Sequence, residues 1–171
     1  MATLGATTIE TSAAAHAGNV GNIVSAPGLL NTTDWTVSST SVTEWAASRI
    51  SITPTTSASR IILTYAIQCH INQLTASGSR YCNLLLYRDS TDLGPICSMR
   101  VFLEDNDYTE HSAVITHIDH PNTTSEVTYS LRAKNGDASI VYWQHNYGPI
   151  AHGGRGYAME IMGTPTNWIQ P

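Results

Sequence analysis

The sequence predicts an all-β fold: an antiparallel β-sandwich, jelly-roll-like, with an extended N-terminal arm. Three observations predict it. After Asn31, short runs of β-branched, aromatic and aliphatic residues alternate with turns rich in Gly, Pro, Ser, Thr and Asn. Several of these runs keep a period of two, the spacing of a strand with one buried face. No stretch keeps the apolar period of an amphipathic helix. At 171 residues the chain suits one domain, or one domain with an arm.

Residues 1–30 are small, polar and Gly/Ala-rich, with scattered Ile9, Val20, Ile23, Val24, Leu29 and Leu30. No helical or strand period persists there, so the segment reads as an arm. Residues 31–163 read as the sandwich and 164–171 as a short tail. Trp35–Val42 is Ser/Thr-rich and edge-like. Arg49–Thr53 alternates Ile50 and Ile52 against polar residues, and Pro54 ends it. Arg60–Ile71 puts Ile61, Leu63, Tyr65, Ile67, Cys69 and Ile71 on one face. Tyr81–Arg88 follows the turn Thr75-Ala76-Ser77-Gly78. A symmetric hairpin there would make Cys69 and Cys82 cross-strand neighbours.

Ile96–Leu103 and Ser112–Ile118 flank the acidic stretch Glu104–Glu110, which reads as a solvated hairpin. Val127–Lys134 alternates cleanly. Asn135-Gly136 is a strong tight-turn pair, and Ser139–His145 returns from it. Tyr147–Arg155 is a Gly-rich loop, and Gly156–Met162 is the last strand.

Composition narrows the function. Charged residues make up 12%, about half the usual ~25%. Lys134 is the only lysine, and 17 Ser and 22 Thr fill the gap. The net charge of −5 excludes a basic nucleic-acid footprint and a polybasic membrane binder. No apolar run approaches a bilayer's thickness. The N-terminus lacks the basic start and apolar stretch of a secretory signal. Cys69, Cys82 and Cys97 are an odd count without a CxxC, which fits buried reduced thiols. Thr content follows from strands. The single lysine fits a surface covered by partners, because Lys and Glu are depleted at interfaces.

No catalytic signature is present: no GxSxG elbow, no HExxH, no phosphate-cradling loop. His111, His117 and Asp119 would share one face of a strand, yet they lack metal-site spacing. Asp105-Asn106-Asp107 lacks the glycine and terminal Glu of a calcium loop. No enzyme activity, metal or cofactor is expected. Trp143, His145, Tyr147, His152 and Arg155 form the most ligand-like cluster, with aromatics beside a Gly-rich loop suited to sugar stacking or a partner surface.

Five segments carry a resemblance. They are Arg49–Pro54 followed by Ser59–Thr64, Leu85–Ser90, Asp119–Ser125 leading into Val127-Thr-Tyr129, and Tyr157–Ile161. Together they resemble the C-terminal β-sandwich modules of bacteriophage tail-fibre and capsid-fibre proteins of marine and cyanobacterial phages, over about residues 45–163. The resemblance implies a virion protein, made in the host cytoplasm and usually a homotrimer. A chain this short, without shaft repeats, fits a capsid decoration or head-fibre protein. Its partners would be capsid or other virion proteins, gripped through Ile9, Val20, Ile23, Val24, Leu29 and Leu30 and through Trp168 and Ile169. The alternative is a tail-fibre or spike tip that binds host-surface glycans through Trp143, Tyr147 and Arg155.

Overall fold

The computed structural model describes residues 19–25, 35–72, 78–103, 108–136, 140–143 and 154–162. Ten strands form, and no helix occurs among the described residues: β1 (Asn19–Ser25), β2 (Trp35–Val37), β3 (Thr43–Ile52), β4 (Arg60–Asn72), β5 (Gly78–Arg88), β6 (Thr91–Leu103), β7 (Tyr108–Asp119), β8 (Val127–Asn135), β9 (Ile140–Trp143) and β10 (Arg155–Met162).

The strands form two antiparallel sheets. The four-stranded sheet runs β3-β8-β5-β6. The six-stranded sheet centres on β4, with β7 on one side and β10 and β9 in succession on the other; β1 pairs β10 and β2 pairs β9. Taking β1/β2 and β9/β10 as two interrupted strands, the order is that of two interleaved Greek keys. This is the jelly roll that the sequence predicts.

Period-two alternation explains why the sheets stack. Ile61, Leu63, Tyr65, Ile67 and Cys69 of β4 are buried, as are Val127, Tyr129, Leu131 and Ala133 of β8. These faces meet Cys82, Leu84 and Leu86 of β5 in one core. Trp35 of β2 stacks on Trp45 of β3 at 5.1 Å between ring centroids, which ties the sheets at one end. In β3 the register shifts between Trp45 and Ile50. Ser48 fills that irregularity: its Oγ donates to the Trp45 carbonyl and accepts from the Leu131 N–H.

Several sequence expectations are corrected. β4 and β5 do not form a hairpin; they lie in opposite sheets, and Cys82 pairs with Met99 and Asn135. Cys69 and Cys82 are therefore not ladder neighbours. Both are free thiols in the shared core. Likewise β6 and β7 belong to different sheets, so the acidic stretch between them is a crossing rather than a hairpin; residues 104–107 themselves lie outside the described residues.

Asn135-Gly136 is not a hairpin turn either, because β8 and β9 also belong to different sheets. Asn135 instead ties the sheets together, its Nδ2 donating to the Val37 carbonyl at 2.7 Å. The observed tight hairpin is Asp89-Ser90, joining β5 to a β6 that begins at Thr91, not Ile96. Asp89 takes a φ of 53° there, a left-handed conformation that Asp tolerates.

The segment read as an extended arm contains a strand without a legible period, β1. It pairs β10 from Asn19↔Met162 to Ser25↔Tyr157, with a register shift between Val20 and Ile23. That shift breaks the apolar alternation and hides the strand from a period search.

Candidate functional site

The feature most able to receive a partner is a notch in the six-stranded sheet. β10 pairs β4 as far as Ala66, opposite Arg155, and β9 resumes at Cys69, opposite Trp143. Only Ile67 and Gln68 separate these stretches on β4, while the returning chain passes through residues 144–154. β1 and β2 lie along β10 and β9 in turn, and residues 26–34 between them lie outside the described residues. A cavity of about 250 Å³ sits at the notch, lined by Ala66, Ile67, Gln68, Ser112, Ala113, Val114 and Gly154. Its polar side chains are Gln68 and Ser112, and Gln68 Oε1 is buried and accepts no hydrogen bond. A buried acceptor without a donor is costly, and a hydroxyl or amide from a ligand would satisfy it.

Trp143 and Arg155 flank this notch. They oppose β4 positions three residues apart, about 10 Å along the strand. Those positions have opposite parity: Cys69 belongs to the core side and Ala66 to the outer side. Arg155 is exposed. His145, Tyr147 and His152 lie outside the described residues. So do Ile9, Leu29, Leu30, Trp168 and Ile169. Of the remaining arm residues, Val20 stands opposite Ile161, Ile23 is 64% exposed, and Val24 packs half-buried against the core.

The outer face of the same sheet carries an apolar row. One row runs across four strands: Ile118 of β7 opposes Ile62 of β4, Ile62 opposes Met159 of β10, and Met159 opposes Ile23 of β1. Tyr157, 42% exposed, stands beside this row; Val114, 76% exposed, lies beyond the Thr116–Thr64 pair. Sequence reading did not single out this surface. Its signal is there in hindsight: Ile62 and Ala66 are apolar at the polar phase of β4, and Val114 and Ile118 share one phase of β7.

Two buried carboxylates were also missed as centres of networks. Glu160 is fully buried on β10. Its carboxylate accepts from the Thr55 N–H and Ser59 hydroxyl, both at 2.6 Å, from the Thr55 hydroxyl at 2.9 Å and from the Asn22 N–H at 3.1 Å. Burial pushes its carboxyl up, but the donors from Ser59, Thr55 and Asn22 together hold it below the ordinary value. Asp119 of β7 accepts Arg88 Nη1 on both oxygens, at 3.0 and 2.7 Å, and the Tyr129 hydroxyl at 2.6 Å. Burial, and then the Asp119 carboxylate, push the Tyr129 hydroxyl far up. His111, His117 and Asp119 do not gather, and among the described residues no three His, Cys, Asp or Glu side chains cluster as metal ligands.

No family model and no curated protein matches the sequence. Among solved structures the chain is similar to one in the structure of infectious bursal disease virus Gx strain, with a TM-score of 0.41 and 10% identity. That match covers 88% of this chain and 33% of the viral one, so this chain spans about a third of its length. It is also similar to a family 16 carbohydrate binding module-2, with a TM-score of 0.23 and 14% identity over 64% of this chain and 71% of that one.

Proposed function

We propose that the chain is a virion structural protein of the capsid-decoration or head-fibre type, non-catalytic and held on its carrier by its N-terminal segment. The observation that carries this reading is the outer face of the six-stranded sheet. The row Ile23, Met159, Ile62 and Ile118, with Tyr157 beside it, forms a contiguous apolar surface of the kind that partners cover. The single lysine in 171 residues supports the same reading. So do Glu160 and Asp119, whose carboxylates are saturated by donors within the chain and serve the fold. The working protein is a homotrimer on capsid or other virion proteins, as the resemblance implies.

The fold sets where the test must cut. Removing residues 1–30 would also remove β1 and the Asn22 bond to Glu160. Removing residues 1–18 leaves both. The shortened protein should keep its folded spectrum and fail to co-sediment with capsids. Normal co-sedimentation would overturn the anchoring role. Immunogold labelling of particles with antibody against this chain should mark the shell; label confined to the tail would overturn decoration.

A second reading, a tail-fibre or spike tip for host-surface glycans, is favoured by the Gln68 acceptor in the notch. Glycan-array binding that Gln68→Ala abolishes without unfolding the protein would favour it over decoration.

A further inference from the structure

The sheet edges are not equally protected. Among the described residues the β1 and β2 edge strands are short, seven and three residues, with a register shift between Val20 and Ile23. β3 carries a register shift and an exposed Glu44–Arg49 ion pair. Along β6 the register shifts twice against β5, and the strand contains Gly94 at φ 103°, Pro95, Asp92 and Arg100. Bulges, prolines and charges all discourage a foreign strand from joining an edge.

β7 has none of these over most of its length. Its 12 residues run along β4 without a shift, from Tyr108↔Asn72 to Asp119↔Ile61. It contains no Pro, Gly, Lys or Arg, and Ser112–Ile118 contains no carboxylate. Among the described residues no strand pairs its outer edge. Two of its outward side chains, Val114 at 76% and Ile118 at 57%, are among the most exposed large apolar residues.

We propose that this edge pairs with β7 of a second copy, antiparallel, about a two-fold axis at Thr116. A long regular edge needs a partner of equal length. Among the described strands the other edges are shorter or bulged, so β7 of another copy is the one that matches. The pleat restricts the register. For the outer faces of both copies to form one surface, the axis must pass through a residue rather than between two.

Centring on Thr116 sets Val114 against Ile118 of the partner subunit, and Thr116 against the partner's Thr116. Both are favourable cross-strand pairs. Centring on Val114 would set Ile118 against the partner's Glu110, and centring on Ser112 would set Val114 against it. Centring on Ile118 would set Val114 against the partner's Asn122, which lies beyond Pro121 at a φ of 55° and outside the strand. Centring on Ile115 would set Val114 against the partner's Thr116 and Ile118 against the partner's Ser112; only the chosen register pairs the two exposed apolar side chains with each other. It also extends the row Ile23, Met159, Ile62 and Ile118 into the partner's Val114. The contact does not depend on the virion reading: it joins two protomers whether each stands alone or within a trimer.

Cysteine cross-linking of the full chain tests it. Thr116→Cys should give a product of twice the chain mass on a non-reducing gel after mild oxidation. Wild type treated alongside should not. Val114→Cys alone should stay uncross-linked, whereas mixed Val114→Cys and Ile118→Cys chains should join. The double variant Val114→Lys/Ile118→Lys, altered only at exposed positions, should lose the two-fold association in sedimentation velocity with an unchanged circular dichroism spectrum. Three results would overturn the proposal: Thr116→Cys that stays single, Val114→Cys that joins itself, or wild type without any two-fold association. The last would mean that β7 is covered by another segment of this chain or by a different protein.

Discussion

Arg88 and Asp119 meet across the sandwich, one guanidinium nitrogen on β5 reaching both carboxylate oxygens on β7 at 3.0 and 2.7 Å. They belong to different sheets, and Tyr129 of the four-stranded sheet donates to the same carboxylate. The pair therefore fixes how the two layers sit at this end of the molecule. Removing one partner of a buried ion pair costs more than the pair contributes, because the other charge is stranded. Asp119→Ala should cost about 3 kcal/mol in urea unfolding, the low end for such pairs because Arg88 keeps some solvent. Tyr129→Phe, which removes one bond to a charged group, should cost about 1.5–3 kcal/mol. A loss below about 0.5 kcal/mol for Asp119→Ala would show that the layers are held by apolar packing alone.

Glu160 makes stability depend on pH in a defined direction. Its folded carboxyl lies below the ordinary value of 4.5. Its contribution is thus fully present above that value and is lost as pH falls toward the folded one. Melting temperature should drop through this acid range. Glu160→Gln should be less stable at neutral pH and show a shallower acid decline, since an amide cannot lose the same charge-assisted bonds. An unchanged slope in the variant would assign acid sensitivity to other carboxylates.

Burial raises the thiols out of the reactive range. Cys82 is pushed up to about 12, and Cys69 higher still, with Cys97 raised as well. The thiolate is the reactive form. A thiol-specific dye at mildly alkaline pH should label the native protein slowly, half-buried Cys97 first, and all three cysteines once denaturant is added. Fast native labelling of two thiols would contradict the core placement of Cys69 and Cys82.

Gly136 lies under a ring. Its N–H donates to the Tyr81 carbonyl at 3.0 Å, and a Cβ at this position would run into the Tyr81 ring. Tyr81 is 43% exposed, so the ring can swing away at modest cost. Gly136→Ala should destabilise by about 1 kcal/mol, and the cost should vanish in a Tyr81→Ala background. An equal cost in both backgrounds would place the strain in the backbone instead.

Strand identity was legible where burial imposes alternation, as in Arg60–Asn72 and Val127–Asn135. Partner choice was not. Thr75–Gly78 and Asn135-Gly136 carry hairpin chemistry, yet in a jelly roll the chain at these places crosses from one sheet to the other. β1 escaped notice because its irregularity puts Val20 and Ile23 out of phase. Glu160 escaped because its donors, Asn22, Thr55 and Ser59, are far from it in sequence and carry no motif. The cavity was half legible: Gly154 of the Gly-rich stretch lines it, but Gln68 became notable only when β9 and β10 were seen to meet β4 on either side of it.

The pairing of Asn19 with Met162 brings the entry of β1 and the exit of β10 to a single corner. A short linker joining Asn19 to Met162 could close residues 19–162 into a ring without crossing either sheet, so a circularly permuted version of them is an attainable product.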